Sequence, residues 1–240
     1  NFFVCLSVLL IAACALFDSS VDRSTPTDEP LPSPTPFQPL LMTATPEPLN
    51  VWISPAVPDG LRERVEFAAG SEAAPIRISK EENAVLKIQA NAEFWPVEWI
   101  FALAAPFPTL QDRMESSDLI AAWGGADGFS EKIYLVNSTL DAMVDVLGSA
   151  AEGHVVGVPV DTLIDVAWSD RPSFVIVPFD ALEPRWKVII LDGQSPLHRE
   201  FTAENYLLRV QFGLSGSSEA VEQFLRVVDW PRTNREPTRL

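Results

Sequence analysis

Eight prolines stand between residues 18 and 48, at positions 26, 30, 32, 34, 36, 39, 46 and 48, and they set the organisation of everything around them. Each proline fixes its own φ and removes a backbone donor, so neither a helix nor a sheet ladder can run through this stretch. The intervening Ser, Thr, Asp and Glu supply too little apolar surface to order it by burial. Residues 18–48 are therefore expected to form an extended, semi-rigid stalk, rising ~3 Å per residue where polyproline II dominates. The stalk divides the chain into an apolar segment before it and a body that begins at Leu49.

The segment 1–17, NFFVCLSVLLIAACALF, carries no charge. Its length sits at the short limit for spanning a bilayer and exceeds the ~7–15 residues of a secretory apolar core. The sequence opens on Asn without a basic stretch, so it is expected to be a piece of a longer chain. Leu10-Ile11-Ala12-Ala13-Cys14 places two small residues before a cysteine at the end of the apolar run. This resembles the lipobox of bacterial lipoproteins. The resemblance implies cleavage after Ala13 and acylation of Cys14, and several acyl chains anchor durably where one does not. An uncleaved membrane anchor is the alternative. Both readings tether the protein to a membrane and place the body outside the cytoplasm.

Both cysteines, Cys5 and Cys14, lie in that leader, so the body has no disulfide and no thiolate metal site. The two histidines, His154 and His198, are too far apart to read as a zinc motif or as part of a Ser-His-Asp set. Asp161, Asp165 and Asp170 do not have the spacing of a calcium loop. No catalytic residue, metal or cofactor is expected. A formal net charge of −16 argues against nucleic acid as a partner.

Within the body, strand patterns alternate with helical ones. Leu49–Ile53, Ile76–Ile78, Ala84–Ile88, Val97–Ala104, Lys132–Val136, His154–Val158, Phe174–Pro178, Trp186–Leu191 and Tyr206–Leu214 read as strands. Asp59–Ala69, Leu119–Trp123, a segment capped by Ser138 or Thr139 and ending at Leu147, Val160–Ala167 and Ser217–Val228 read as helices. This alternation predicts an α/β fold with largely parallel sheets, as one sheet or two lobes.

Several segments together resemble phosphate-type periplasmic binding proteins. They are Phe107-Pro108-Thr109-Leu110 with Ser117–Gly125, then Ser173–Pro184, Val188–Pro196 and Tyr206–Val210, in the family's order across most of 49–228. The resemblance implies a type 2 periplasmic-binding-protein-like fold, two lobes with mixed, mostly parallel sheets. The narrower run Val177–Val188 with Asp192–Leu197 is similar to the amino-terminal region of the CapA family of capsule and poly-gamma-glutamate biosynthesis proteins. There this region precedes a metallophosphoesterase-like domain, and residues 229–240 read as the linker to it. The implied role is a membrane-tethered, extracytoplasmic module that binds a ligand or partner and is itself non-catalytic. The alternatives are a stand-alone solute-binding lipoprotein of an ABC transporter, and part of an enzyme whose catalytic domain lies after residue 240.

Phosphate-type binding proteins hold anions on backbone N–H groups at helix starts. The expected counterpart of their first loop here, Ser54-Pro55-Ala56-Val57-Pro58, loses two donors to proline and has no glycine for close approach. Ser138 and Thr139 are the other helix-start candidates, with an ordinary N-cap as their structural alternative. Arg185 and Lys187, alternating about Trp186, are candidates to meet an anionic small molecule or polyglutamate, or else are solvated charges. Trp95, Trp99 and Trp123 read either as core or as a stacking surface.

Overall fold

The computed structural model describes residues 47–71 and 75–231. The expected leader, Cys14 and all but the last two residues of the stalk lie outside the described residues.

In chain order the elements are β1 (Leu49–Ile53), α1 (Asp59–Ala69), β2 (Ile76–Ser79), β3 (Leu86–Ala90) and β4 (Phe94–Pro106). Then come β5 (Arg113–Met114), α2 (Ser116–Trp123), β6 (Lys132–Val136), α3 (Asn137–Leu147) and β7 (Val155–Val158). The rest are α4 (Leu163–Ser169), β8 (Ser173–Pro178), β9 (Trp186–Val188), β10 (Ile190–Leu191), β11 (Arg209–Gly216) and α5 (Ser218–Leu225). The main sheet runs β2-β1-β3-β11-β4-β8-β6-β7, with β9 also on β4, and β10 pairs β5 separately. The outer pairs, β1 with β2 and β3, and β6 with β7 and β8, are parallel. The pairs around β4 and β11 are antiparallel. The fold is thus α/β with mixed sheets.

The 13 residues of β4 join the two halves of the main sheet. Its first half, from Phe94 to Ile100, pairs with β11, and its second half, from Phe101, pairs with β8 and β9. The chain leaves the first lobe at Ile100–Phe101 and returns to it at Leu208–Arg209. These crossings touch: the Phe101 N–H donates to the Leu208 carbonyl at 2.9 Å, and Arg209 lies opposite Ile100.

Side-chain alternation explains how the second lobe is layered. Phe101, Leu103, Ile133, Leu135, Phe174 and Ile176 point to one face, beneath α2 and α3. Ala102, Ala104, Tyr134, Val175 and Val177 point to the other, beneath α4. A strand buried on both faces reads as a continuous apolar run, which is what Phe174–Val177 is. In the first lobe α1 buries Leu61, Val65 and Ala68 at helical spacing, and α5 buries Ala220, Val221 and Phe224.

Several boundaries differ from expectation for local reasons. The helix expected from Val160 begins at Leu163, because Thr162 closes a turn on the Pro159 carbonyl through both its N–H and its hydroxyl. The strand expected over Trp186–Leu191 divides, because Ile189 donates to Leu103 and Ile190 to Asp112, on different segments. The strand expected from Tyr206 begins at Arg209. Tyr206 instead ends a 3-10 turn and packs edge-on against Phe201. The packed body also extends past Val228: Trp230 is buried against Phe224, and its indole N–H donates to the Trp95 carbonyl at 2.9 Å.

Candidate functional site

Three chain segments converge on one cavity. β1 ends in the turn Ser54–Pro58, and α1 follows with Pro58 as its N-cap and no side-chain cap. The Leu61 and Arg62 N–H groups both turn back to the Pro58 carbonyl, and Asp59 supplies an acid to the first turn. β6 runs straight into α3, whose N-cap is Val136, again without a side-chain cap. β8 leaves the sheet at Pro178 and enters the 3-10 turn Phe179–Ala181. The carboxyl ends of β1, β6 and β8 therefore face a common space between the two lobes, where ligands of open α/β sheets are held.

The cavity encloses about 110 Å³. Its floor is apolar, made by Val136, Leu163, Ile164, Val177 and Trp186, and Ser138 adds a hydroxyl from the first turn of α3. Its rim carries Asp59, Asp180 and Glu183, and no Lys, Arg or His lines it. Glu183 is paired with Arg185 at 2.9 Å. Among the described residues Asp59 and Asp180 have no ion-pair partner within 4.0 Å.

The loop Ser54–Pro58 has no glycine, and the close approach falls instead at Gly60, in the first turn of α1. A β-carbon at Gly60 would lie 3.0 Å from the Asp180 carboxylate and 3.5 Å from the Trp99 ring. The glycine does admit an anionic group to the first turn of α1, and that group is the chain's own carboxylate.

The expected site residues separate. Ser138 lines the cavity, but α3 begins at Asn137, so neither Ser138 nor Thr139 is its N-cap; Thr139 is buried. Ser54 lies off the cavity lining: its hydroxyl accepts from Ala56 and its carbonyl from Arg62. Lys187 is held by the Asp112 carboxylate and the Thr109 carbonyl, and Arg185 by Glu183. An exposed basic face is therefore not what these two residues form. Trp123 is core, 1% exposed, with its indole N–H on the Gly148 carbonyl at 2.9 Å. Trp95 is 43% exposed, and Trp99 is half-buried beside Gly60.

Shifted titrations lie outside the cavity. The Tyr134 hydroxyl, followed by Lys132, holds Asp170 below the usual carboxylate range. The Ser116 hydroxyl does the same for Asp192, which also accepts from the Ser116 N–H at 2.7 Å and so caps α2. Burial pushes the Tyr206 phenol up. Among the described residues no cluster of His, Cys, Asp or Glu fits a metal, and no helix is long and apolar enough to cross a membrane.

Asp59, Asp180, Glu183 and Trp186 were not singled out for the site by sequence reasoning. The usable signal was position: an acid directly after the Pro58 that opens a helix, and the Asp-Ala-Leu-Glu run leaving a buried strand.

No protein-family model and no curated protein sequence matches the chain. Solved structures do. An ABC-type phosphate transport receptor from Vibrio cholerae superposes with a TM-score of 0.57 at 9% identity, over 75% of this chain and 92% of that one. A possible phosphate binding protein from Planctomyces limnophilus gives 0.52 at 13%, over 74% and 86%. A putative phosphate ABC transporter substrate-binding protein from Clostridium perfringens, with bound phosphate, gives 0.50 at 12%, over 75% and 92%. The fold is periplasmic-binding-protein-like. At these identities the likeness concerns the backbone architecture.

Proposed function

We propose that the body is an extracytoplasmic, non-catalytic ligand-binding module, tethered to a membrane through Cys14 and the proline-rich stalk. The observation that carries the reading is the cavity between the lobes, walled by the starts of α1 and α3 and by the carboxyl ends of β6 and β8. The solved neighbours named for phosphate transport or binding support a binding role for this architecture. The cavity combines one hydroxyl with carboxylates over an apolar floor, a lining that suits holding a ligand. The resemblance to CapA-type proteins supports placing the module in front of a capsule-synthesis domain. The resemblance to phosphate-type binding proteins supports the second reading, a solute-binding lipoprotein of an ABC transporter.

Thermal unfolding of the purified chain across a panel of small anions, amino acids, amines and polyglutamate tests the binding role. A ligand at 100 times its dissociation constant adds ~2.7 kcal/mol. For a body of this size that raises Tm by about 5–10 °C. A panel without any shift refutes the binding role and leaves a spacer or docking module. Radiolabelled palmitate incorporation that vanishes in Cys14→Ser tests the tether.

A further inference from the structure

The neighbours' names would lead one to try phosphate, but the lining of this cavity opposes an anion. Phosphate at a helix start needs free N–H groups, room for close approach and no competing negative charge. Here Pro58 removes one donor, and Asp180 takes the close approach that Gly60 offers. Asp59 adds a second carboxylate within the same first turn. With no cation on the lining, an incoming anion would meet Asp59 and Asp180 uncompensated.

Reversing the sign of the ligand satisfies the same atoms. An ammonium group at the rim would bridge Asp59 and Asp180 and cancel half of their charge; the two face the cavity from opposite lobes, one on α1 and one after β8. An apolar portion behind it would cover Leu163, Ile164, Val177 and the Trp186 ring. Aromatic faces favour organic cations further. The Ser138 hydroxyl is available to a polar substituent. The cavity volume limits the enclosed part to a small group.

We infer that the cleft holds a small organic cation, an ammonium bearing a short apolar or aromatic portion, in place of the anion that the fold suggests. This inference rests on the binding role proposed above and names its ligand class. Because the two carboxylates come from different lobes, one bound cation would also tie the lobes together.

The test uses isothermal titration of the purified chain with phenethylamine, benzyltrimethylammonium and putrescine, beside inorganic phosphate and glutamate. Binding of at least one amine, weakened at least tenfold in Asp59→Asn/Asp180→Asn and weakened by added salt, is the expected result. The variant's far-ultraviolet circular dichroism should match wild type and its Tm should shift only slightly, since both carboxylates are exposed and act only on the first turn of α1. Phosphate or glutamate binding without amine binding overturns the cation assignment and keeps the binding module. Amine binding unchanged in the double variant also overturns it. Silence of the entire panel removes both.

Discussion

Replacing Trp123 by Phe tests how the second lobe is held together. The indole is 1% exposed on α2, and its N–H reaches the Gly148 carbonyl beyond the end of α3. Losing that hydrogen bond costs about 1 kcal/mol net, without an orphan penalty, because Gly148 is exposed and its carbonyl can rehydrate. Phe is smaller by about 40 Å³, and at ~24 cal/mol per Å³ of unfilled space this costs about 1 kcal/mol if nothing collapses. The buried apolar area lost, about 30 Å², contributes roughly 0.8 kcal/mol more. The expected destabilisation is about 2–3 kcal/mol. Urea unfolding at neutral pH should show it as a lower midpoint at unchanged slope, and a melt as a drop of about 4–12 °C. Leu110→Ala, at a position 95% exposed, is the control and should stay within about 0.5 kcal/mol. A Trp123→Phe variant as stable as that control would refute the reasoning and reopen a surface role for this ring.

Asp192→Asn keeps the positive-φ turn but removes the carboxylate that caps α2, at a cost of about 0.5–1 kcal/mol near neutral pH. The folded proton affinity of Asp192 is lowered, so its stabilisation is present above the unfolded Asp value of ~3.9 and fades as pH falls through the folded one. The difference between the two proteins in urea should therefore narrow on acidification, and a pH-independent gap would contradict this assignment. Ser217→Ala deletes the acceptor for the Ala220 N–H at the start of α5 and should cost about 1 kcal/mol in the same assay. Gly213→Ala should cost about 1–3 kcal/mol, because its β-carbon would stand 2.8 Å from the Phe94 carbonyl beside the β11 bulge, where backbone has to move; an unchanged Tm would contradict it.

The extent to which these features could be read in advance follows their range. β1, β6 and α1 match the expected bounds: β1 alternates and α1 has 3.6-residue spacing, each with Pro or Gly nearby, while β6 is a short apolar run between polar residues. The division of Trp186–Leu191 depends on which distant carbonyls accept from Ile189 and Ile190, and nothing local states that. The pairing of Lys187 with Asp112 joins residues 75 positions apart, so a lysine that looked free is committed. Ser138 could be found from its place at the start of a helix. Asp180 could be marked only as an acid leaving a buried strand; its place against Gly60, on the opposite lobe, is set by the tertiary fold.

The position of β11 has a consequence for how the molecule comes into being. It lies between β3 and β4, although 102 residues separate the end of β4 at 106 from Arg209. A growing chain that has emerged only as far as Leu208 thus has two facing strand edges with an empty slot between them. Its second lobe can pack while the first stays open. Such an intermediate offers unpaired backbone to any neighbour until the closing strand slides in.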